Sequence, residues 1–203
     1  MSTRAAEPDL EALRAGDAAA FERLVERYSD ALLRLAFSYV RDRSVAEEVV
    51  QETWLQVIRS LDRFEGRSSL KTWIFGILVN VARHHQRRES RSLPFASLFR
   101  REDDDAVELD ESRFGRDGAW VQPPASWAGI PEEHLLGAET RERIEAALAE
   151  LPPKLRQIAV LRDVGGWTSE EVCRLLNITP ANQRVRLHRA RTAIRERLEE
   201  YLR

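Results

Sequence analysis

The sequence predicts an all-α protein made of two small helical domains joined by a largely irregular acidic linker. Apolar residues recur at three- and four-residue steps across 9–91 and again across 131–203, which is the period of amphipathic helices. Between these stretches, 92–130 contains a run of acidic residues interrupted by proline and glycine. A chain of 203 residues with 43% hydrophobic content has enough apolar side chains for two small cores.

Four helices are predicted in 9–91. Each is preceded by a side chain that can accept hydrogen bonds from the free amides of a first helical turn: Asp9, Asp17, Ser44, and Ser68 or Ser69. We expect the second helix to run from Ala18 to about Val40, the third from Val45 to about Leu61, and the fourth to end near Arg88. Packed together, these helices would form a compact bundle.

Residues 92–130 are predicted to form an extended linker. The slightly longer stretch 92–140 contains four basic residues against eleven acidic ones, whereas 141–203 contains thirteen basic against nine acidic. Pro123-Pro124 and three glycines interrupt any helix in the linker. The acidic side chains are suited either to a flexible spacer or to a segment that takes the place of phosphate in a groove built for nucleic acid.

Helical signals return at Pro131 and lead to a helix-turn-helix. One helix ends near Leu151, and another starts at Pro152-Pro153 and ends at Gly165-Gly166. Thr168 and Glu171 have the spacing of a capping box, which predicts a third helix, and 177–179 breaks that helix. Thr179 can cap a fourth helix that begins with Pro180. Two helices joined by so tight a turn are typical of DNA-binding proteins.

The last helix can be phased from its own residues at about 100° per residue. Its predicted inward stripe contains Gln183, Leu187, Ala190, Ile194 and Leu198. Its predicted outward face contains Ala181, Val185, His188, Arg189 and Thr192, flanked by Arg184 and Arg186. Arginine can bond a guanine edge at two points, so this face favours a reader of the major groove over an ordinary solvated surface helix.

Other classes of function find little support in the sequence. The four histidines have no metal-ligand spacing with Cys173 or the carboxylates, and no Gly-rich phosphate loop or nucleophile elbow occurs. We therefore expect no enzymatic activity, no metal and no cofactor. The most apolar run, Trp73 to Ala82, is about half the length that spans a bilayer, so we expect a cytoplasmic protein without membrane insertion.

The order of motifs resembles the extracytoplasmic-function (ECF, group IV) sigma factors of bacterial RNA polymerase. The resemblance is carried by Glu47–Trp54, Leu61–Trp73 and Asn80–Arg83 in the first domain, and by Leu151–Pro153, Leu161–Val164 and Arg186–Arg191 in the second. It implies that 9–91 is sigma region 2, that 131–203 is sigma region 4, and that the chain is an alternative sigma factor. Such a factor binds core RNA polymerase and directs promoter recognition, melting and transcription initiation.

The resemblance also implies the binding residues and partners. The residues implied to dock on core polymerase are Glu48, Gln51, Glu52 and Leu55. Those implied to bind the minus-10 element are Phe64, Gly66, Arg67, Ser68, Ser69, Lys71, Asn80, Arg83, His84 and Arg87. Those implied to bind the minus-35 element are Arg184, Val185, Arg186, His188 and Arg189. The implied partners are the β′ clamp and β flap of core polymerase, promoter DNA and an anti-sigma factor.

The residue chemistry fits these roles. Acidic and amide side chains on one helix face can meet arginines of a partner. A loop with a glycine and an aromatic wall is suited to holding a flipped base. Between Arg67 and Arg91 six Lys or Arg stand against one acid, Glu89, and such a basic stripe can track a single-stranded backbone. We expect Trp73 and Phe75, at helical spacing, to lie in the core rather than to stack on bases.

Two questions stay open at the level of sequence. The alternative function is that of a stand-alone helix-turn-helix regulator, which would bind duplex DNA without polymerase. The other question concerns Asn182-Gln183, where the family usually has Thr-Val. Either the amide of Gln183 is buried and finds hydrogen-bond partners, or the start of the helix is rotated, which would shift the base contacts expected of Arg184 and Val185.

Overall fold

The computed structural model of the chain describes residues 9–40, 42–92 and 138–201. All regular elements in these ranges are helical, and the chain divides between residues 94 and 95 into two compact units. The predicted all-α fold with two helical domains is therefore confirmed. The predicted linker, apart from its first residue, lies outside the described residues.

The first unit is a bundle of four α-helices. They are α1 (Leu10–Arg14), α2 (Ala18–Ala36), α3 (Arg43–Ser60) and α4 (Leu70–Ser92), with a short 3-10 helix, Leu61–Arg63, after α3. The three long helices pack on one another, and α1 packs on α2. Their shared core is made of side chains that are no more than 2% exposed, among them Leu24, Leu32, Leu35, Val49, Val57, Ile74 and Leu78.

The caps and ends of these helices agree with the sequence prediction except at three places. Asp9, Asp17 and Ser69 accept hydrogen bonds from first-turn amides as predicted. The cap predicted for α3 is wrong: Asp42, not Ser44, precedes the helix, and its carboxylate accepts from the Ser44 amide at 2.7 Å and the Ser44 hydroxyl at 2.6 Å. These hydrogen bonds lower the pKa of Asp42. Helix α2 ends four residues before Val40, and α4 continues four residues past Arg88.

The second unit is built around its last helix. It contains α5 (Ala138–Glu150), α6 (Pro153–Ala159), a π-helical segment (Val160–Val164), α7 (Ser169–Leu176) and α8 (Pro180–Tyr201). Helix α8 packs against α5, α6 and α7. Leu151, Ala159 and Ala190 form one buried cluster, over which Leu148, Leu155, Ala193 and Ile194 pack.

The π-helical segment is a feature that the sequence did not reveal. Its characteristic hydrogen bond spans five residues, from the Gly165 amide to the Val160 carbonyl at 2.8 Å, and the Trp167 amide then donates to the Leu161 carbonyl at 3.0 Å. Gly165-Gly166 ends the helical run as predicted. The chain thereby turns Trp167 inward, where it is only 2% exposed.

Gly165 is expected to be intolerant of any side chain, because a Cβ there would lie 2.8 Å from Trp167 Cδ1 and 3.0 Å from the Leu161 carbonyl oxygen. Gly165→Ala should lower the free energy of unfolding by about 1–3 kcal/mol, the usual cost of overpacking. Urea unfolding followed by circular dichroism measures the change.

Gly76→Ala is the matched control, since Gly76 lies within α4 and a Cβ there would meet nothing within 4 Å. This substitution should raise stability by roughly 0.5–1 kcal/mol, the helix propensity gained over glycine. An unfolding midpoint for Gly165→Ala equal to that of the unsubstituted chain would contradict the close packing described above.

Candidate functional site

One exposed face of α3 carries the four residues predicted to dock on polymerase. Glu48, Gln51 and Leu55 are exposed, with Leu55 at 51%, and the side chain of Glu52 is 43% exposed. Their spacing of three and four residues places them on one side of the helix. The structure therefore brings these four together.

The sequence prediction counted Ile58 among the apolar residues of α3 without assigning it to this face. Ile58 is 57% exposed, three residues beyond Leu55, and so extends the same surface by a turn. Its spacing from Gln51 and Leu55 was the signal available in the sequence. Leu55 and Ile58 thus form an exposed apolar pair on the face that carries Glu48 and Glu52.

The loop between α3 and α4 is held at both ends. Phe64 is 7% exposed and its ring lies 5.0 Å from that of Trp73, while its carbonyl accepts a hydrogen bond from the Arg14 guanidinium. At the other end, the Ser69 hydroxyl accepts from the Thr72 amide and caps α4. Phe64 thus packs beneath the loop, and the exposed groups are those of the residues that follow it, Gly66, Arg67 and Ser69, with Ser68 half-buried.

Helix α4 carries four of the predicted minus-10 residues on one side. Asn80, His84 and Arg87 are exposed and Arg83 is half-buried, at the three- and four-residue spacing of one helix face. The opposite side is core: Phe75 is 1% exposed and meets Tyr28 edge-on at 6.2 Å, which confirms its predicted burial. Lys71, in the first turn, falls about 180° around the helix from Asn80, so the structure does not join it to this face.

Arg83 lies beside a buried tyrosine. Tyr39, in the connection between α2 and α3, is 7% exposed. Burial raises the pKa of the Tyr39 hydroxyl to about 12, although the nearby positive charge of Arg83 acts in the opposite direction. Tyr39 therefore lies close to a guanidinium predicted to contact promoter DNA.

The helix-turn-helix follows the predicted capping. Thr168 and Glu171 form the reciprocal capping box of α7, and Asn177 adopts a left-handed backbone with φ of 56° at the end of that helix. The Thr179 hydroxyl accepts from the Asn182 amide at 3.2 Å and α8 begins at Pro180. The turn is therefore held on the α7 side by backbone amides that donate to the Cys173 carbonyl, and on the α8 side by the Thr179 hydroxyl.

The phase of α8 is fixed by Gln183, which is 1% exposed. Of the two alternatives for this residue, burial with a partner is correct: the Ser169 hydroxyl donates to Gln183 Oε1 at 2.9 Å. Gln183 Nε2 is also buried and has no hydrogen-bond partner among the described residues. The inward positions of Leu187, Ala190 and Leu198 are confirmed, each being no more than 8% exposed.

The predicted outward face of α8 is confirmed only in part. Arg184 and Arg189 are exposed and His188 is half-buried. The exposure predicted for Val185 and Arg186 is wrong, since they are 8% and 6% exposed. Three helices pack against α8, and a single apolar stripe underestimates the arc that they cover.

Arg191 forms an ion pair with Asp163 of the same unit. Its guanidinium contacts both carboxylate oxygens of Asp163, at 2.9 and 2.6 Å, and Asp163 belongs to the π-helical segment. The hydrogen bond to Asp163 raises the pKa of Arg191. This bidentate pair ties the π-helical segment to the middle of α8.

Within the described ranges no group of His, Cys, Asp and Glu side chains is arranged to hold a metal ion. No helix in the same ranges is long and apolar enough to cross a membrane.

Comparison with known families gives two matches that follow this architecture. Residues 24–92 match the model of Sigma-70 region 2, and residues 141–194 match that of Sigma-70 region 4. The ECF RNA polymerase sigma-E factors of Escherichia coli (strain K12) and Salmonella typhimurium (strain LT2) are each 31% identical over 194 residues, 96% of this chain and 94% of theirs. The RNA polymerase sigma-H factor of Pseudomonas aeruginosa is 29% identical over the same length.

Two solved structures share the fold at 22% identity. The sigma factor RpoE of Bartonella quintana, solved with the anti-sigma factor NepR, has a TM-score of 0.58, with 88% of this chain and 96% of that one covered. CnrH, solved with the cytosolic domain of CnrY, has a TM-score of 0.57, with 94% and 95% covered.

Regions 2 and 4, in this order and on these two helical units, define a sigma-70-type initiation factor. With relatives 31% identical over almost its whole length, the chain belongs to the ECF sigma factors of RNA polymerase. It is an alternative sigma factor that directs transcription initiation.

The buried amide of α8 generates a stability prediction. Ser169→Ala removes the one side-chain hydrogen bond of Gln183 found among the described residues, and should lower the free energy of unfolding by about 1–3 kcal/mol, the cost of a buried polar group left unpaired. The double variant Ser169→Ala/Gln183→Met replaces both partners with apolar groups and should recover most of that loss. Urea unfolding of both variants measures the coupling.

Thr192→Ala, on the exposed side of α8, controls for loss of a hydroxyl and should change stability by less than about 0.5 kcal/mol. Losses that simply add in the double variant would rule out the pairing.

The buried Tyr39 predicts a loss of stability in alkali. Its pKa is about 12 in the folded chain against an ordinary tyrosine value of 10.0, so the unfolded state releases this proton first. Its contribution is complete below pH 10 and should decline by about 1.4 kcal/mol per pH unit as the pH approaches 12. Unfolding free energies measured across this interval should fall less steeply for Tyr39→Phe, and parallel curves for the two proteins would contradict the assignment.

Proposed function

We propose that the two units divide the work of promoter recognition. Residues 9–91 dock on core polymerase and bind the minus-10 element, residues 131–203 bind the minus-35 element, and residues 92–130 link them. The observation that supports this division best is the exposed apolar pair Leu55 and Ile58 on α3. A monomer that only reads duplex DNA needs no such surface, whereas a polymerase subunit needs a docking face.

The docking face consists of Glu48, Gln51, Glu52, Leu55 and Ile58. Leu55 and Ile58 supply apolar area that burial against the β′ clamp would remove from water. The carboxylates beside them can accept bidentate hydrogen bonds from arginines of the partner. An apolar centre flanked by charged groups is the usual anatomy of a protein interface.

For the minus-10 element, we propose that the loop Gly66–Ser69 accepts an unstacked base and that α4 follows the melted strand. The loop offers small and hydroxyl side chains to the nucleobase. Phe64 and Ser69 hold the two ends of the loop in place. Asn80, Arg83, His84 and Arg87 continue from it along one side of α4, where they can contact phosphates and bases. Lys71 lies elsewhere on the helix, and we assign it a contact with the DNA backbone near the loop.

For the minus-35 element, we propose that Arg184, His188 and Arg189 contact the DNA. Arg184 and Arg189 are exposed on the first half of α8, the part of a recognition helix that enters the major groove. Val185 and Arg186, which are buried, support these residues by packing within the unit instead of reading bases.

We also propose an anti-sigma factor as the regulator and the cytoplasm as the location. The relative from Bartonella quintana was solved with an anti-sigma factor, and the two chains share one fold. Core polymerase and promoter DNA, the proposed partners, are cytoplasmic. In this role the chain acts by binding and has no catalytic step of its own.

A run-off transcription assay with purified core polymerase and genomic fragments tests the function. Leu55→Ser/Ile58→Ser should weaken core polymerase binding by at least about tenfold, because truncation of central apolar contacts is costly. Both side chains are exposed, so the fold should be preserved. Arg184→Ala/Arg189→Ala should leave core binding intact and lower promoter-dependent product by at least about tenfold, from the loss of two base or phosphate contacts.

Arg143→Ala, an exposed arginine of α5, is the matched control for the charge removed from the second unit and should support normal transcription. A chain that binds promoter duplex alone, forms no complex with core polymerase and yields no promoter-dependent product would instead be a stand-alone regulator.

A further inference from the structure

A buried histidine of α4 touches the docking face of α3. His85 is 5% exposed, and its Nε2 lies 2.9 Å from Oε2 of Glu52. The second carboxylate oxygen, Oε1, accepts a hydrogen bond from Gln56 Nε2 at 3.2 Å. Among the described residues, each oxygen of this carboxylate thus has one donor.

These two contacts orient the carboxylate but leave some of its acceptor positions unoccupied. A carboxylate oxygen has two lone pairs, so two outward acceptor positions remain after His85 and Gln56 have each donated once. The side chain of Glu52 is 43% exposed, which leaves those positions open to a partner. Most exposed glutamates must give up rotamer freedom when they bind, whereas Glu52 is already held in one orientation.

We propose that His85 is a positioning residue for polymerase docking, holding the Glu52 carboxylate in the orientation that a guanidinium of core polymerase binds. The inference rests on the docking role proposed above for Glu52. A planar guanidinium needs two acceptors in a fixed geometry, and a carboxylate held at both oxygens presents them.

The same contact ties the docking face to the promoter helix. His84, which follows His85 and is exposed, is one of the proposed minus-10 residues, and the two rings meet edge-on at 6.2 Å. Glu52 and His85 are 33 residues apart in sequence and lie on different helices. A single buried imidazole therefore connects the surface that meets polymerase with the helix that meets DNA.

The test is a double-mutant cycle on the affinity of the full-length chain for core polymerase, measured by fluorescence titration. His85→Leu removes the donor, and His85→Gln keeps an amide donor near the position of Nε2. His85→Leu should weaken binding by about threefold to tenfold, the cost of ordering one free side chain, and His85→Gln should restore it. In a Glu52→Ala background, His85→Leu should cause no further loss.

Gln56→Ala is a second test of the same proposal. It does not disturb the core, because Gln56 is only half-buried. It frees the other carboxylate oxygen and should weaken binding in the same Glu52-dependent way. Glu26→Gln, on α2, removes a surface carboxylate of the same unit and should leave affinity unchanged.

The outcomes separate the two proposals. If Glu52→Ala weakens binding while His85→Leu and Gln56→Ala do not, or do so equally without Glu52, the positioning role is wrong and the docking role stands. If Glu52→Ala itself leaves binding unchanged, the docking role of Glu52 is wrong and the positioning role falls with it.

Discussion

Burial sets the orientation of a helix that lies partly in a core and partly in a proposed binding surface. Two helices of this protein, α4 and α8, are of this kind. In α4, Phe75 and Leu78 are buried, so Asn80, His84 and Arg87 face outward. In α8, Gln183, Leu187 and Ala190 play the same part. Because each interior is closely packed, the binding residues can be presented in only one way.

Polar side chains in these cores join elements that are distant in sequence. Ser169 and Gln183 join the two helices of the helix-turn-helix, His85 and Glu52 join α4 to α3, and Tyr39 lies against Arg83. The first two contacts are hydrogen bonds, which are directional, so each specifies an orientation that apolar packing leaves less defined. In each of the three contacts, one partner or the residue next to it in sequence is a proposed binding residue. The contacts therefore lie directly behind the proposed binding surfaces.

Local signals predicted most of the fold, since caps and helical periodicity depend on neighbouring residues. Asp17 and the Thr168–Glu171 box show this. Properties that depend on other elements were missed: the burial of Val185 and Arg186, which follows from three helices around α8, and the exposure of Ile58. The π-helical segment also escaped prediction, because it depends on how Trp167 packs against Gly165. Family resemblance supplied the site residues, whose roles stay predictions.

The bidentate pair of Asp163 and Arg191 changes how the basic character of α8 should be understood. The composition of this helix suggests a strong positive charge along its surface. However, Arg191 is neutralised by Asp163, and Arg186 is buried. Only cations that reach phosphate release counterions from DNA, and their number sets how steeply affinity declines with salt. In the DNA-binding role that we propose for α8, we therefore expect affinity to depend more on fit than on charge, and to decline less steeply with salt than the composition suggests.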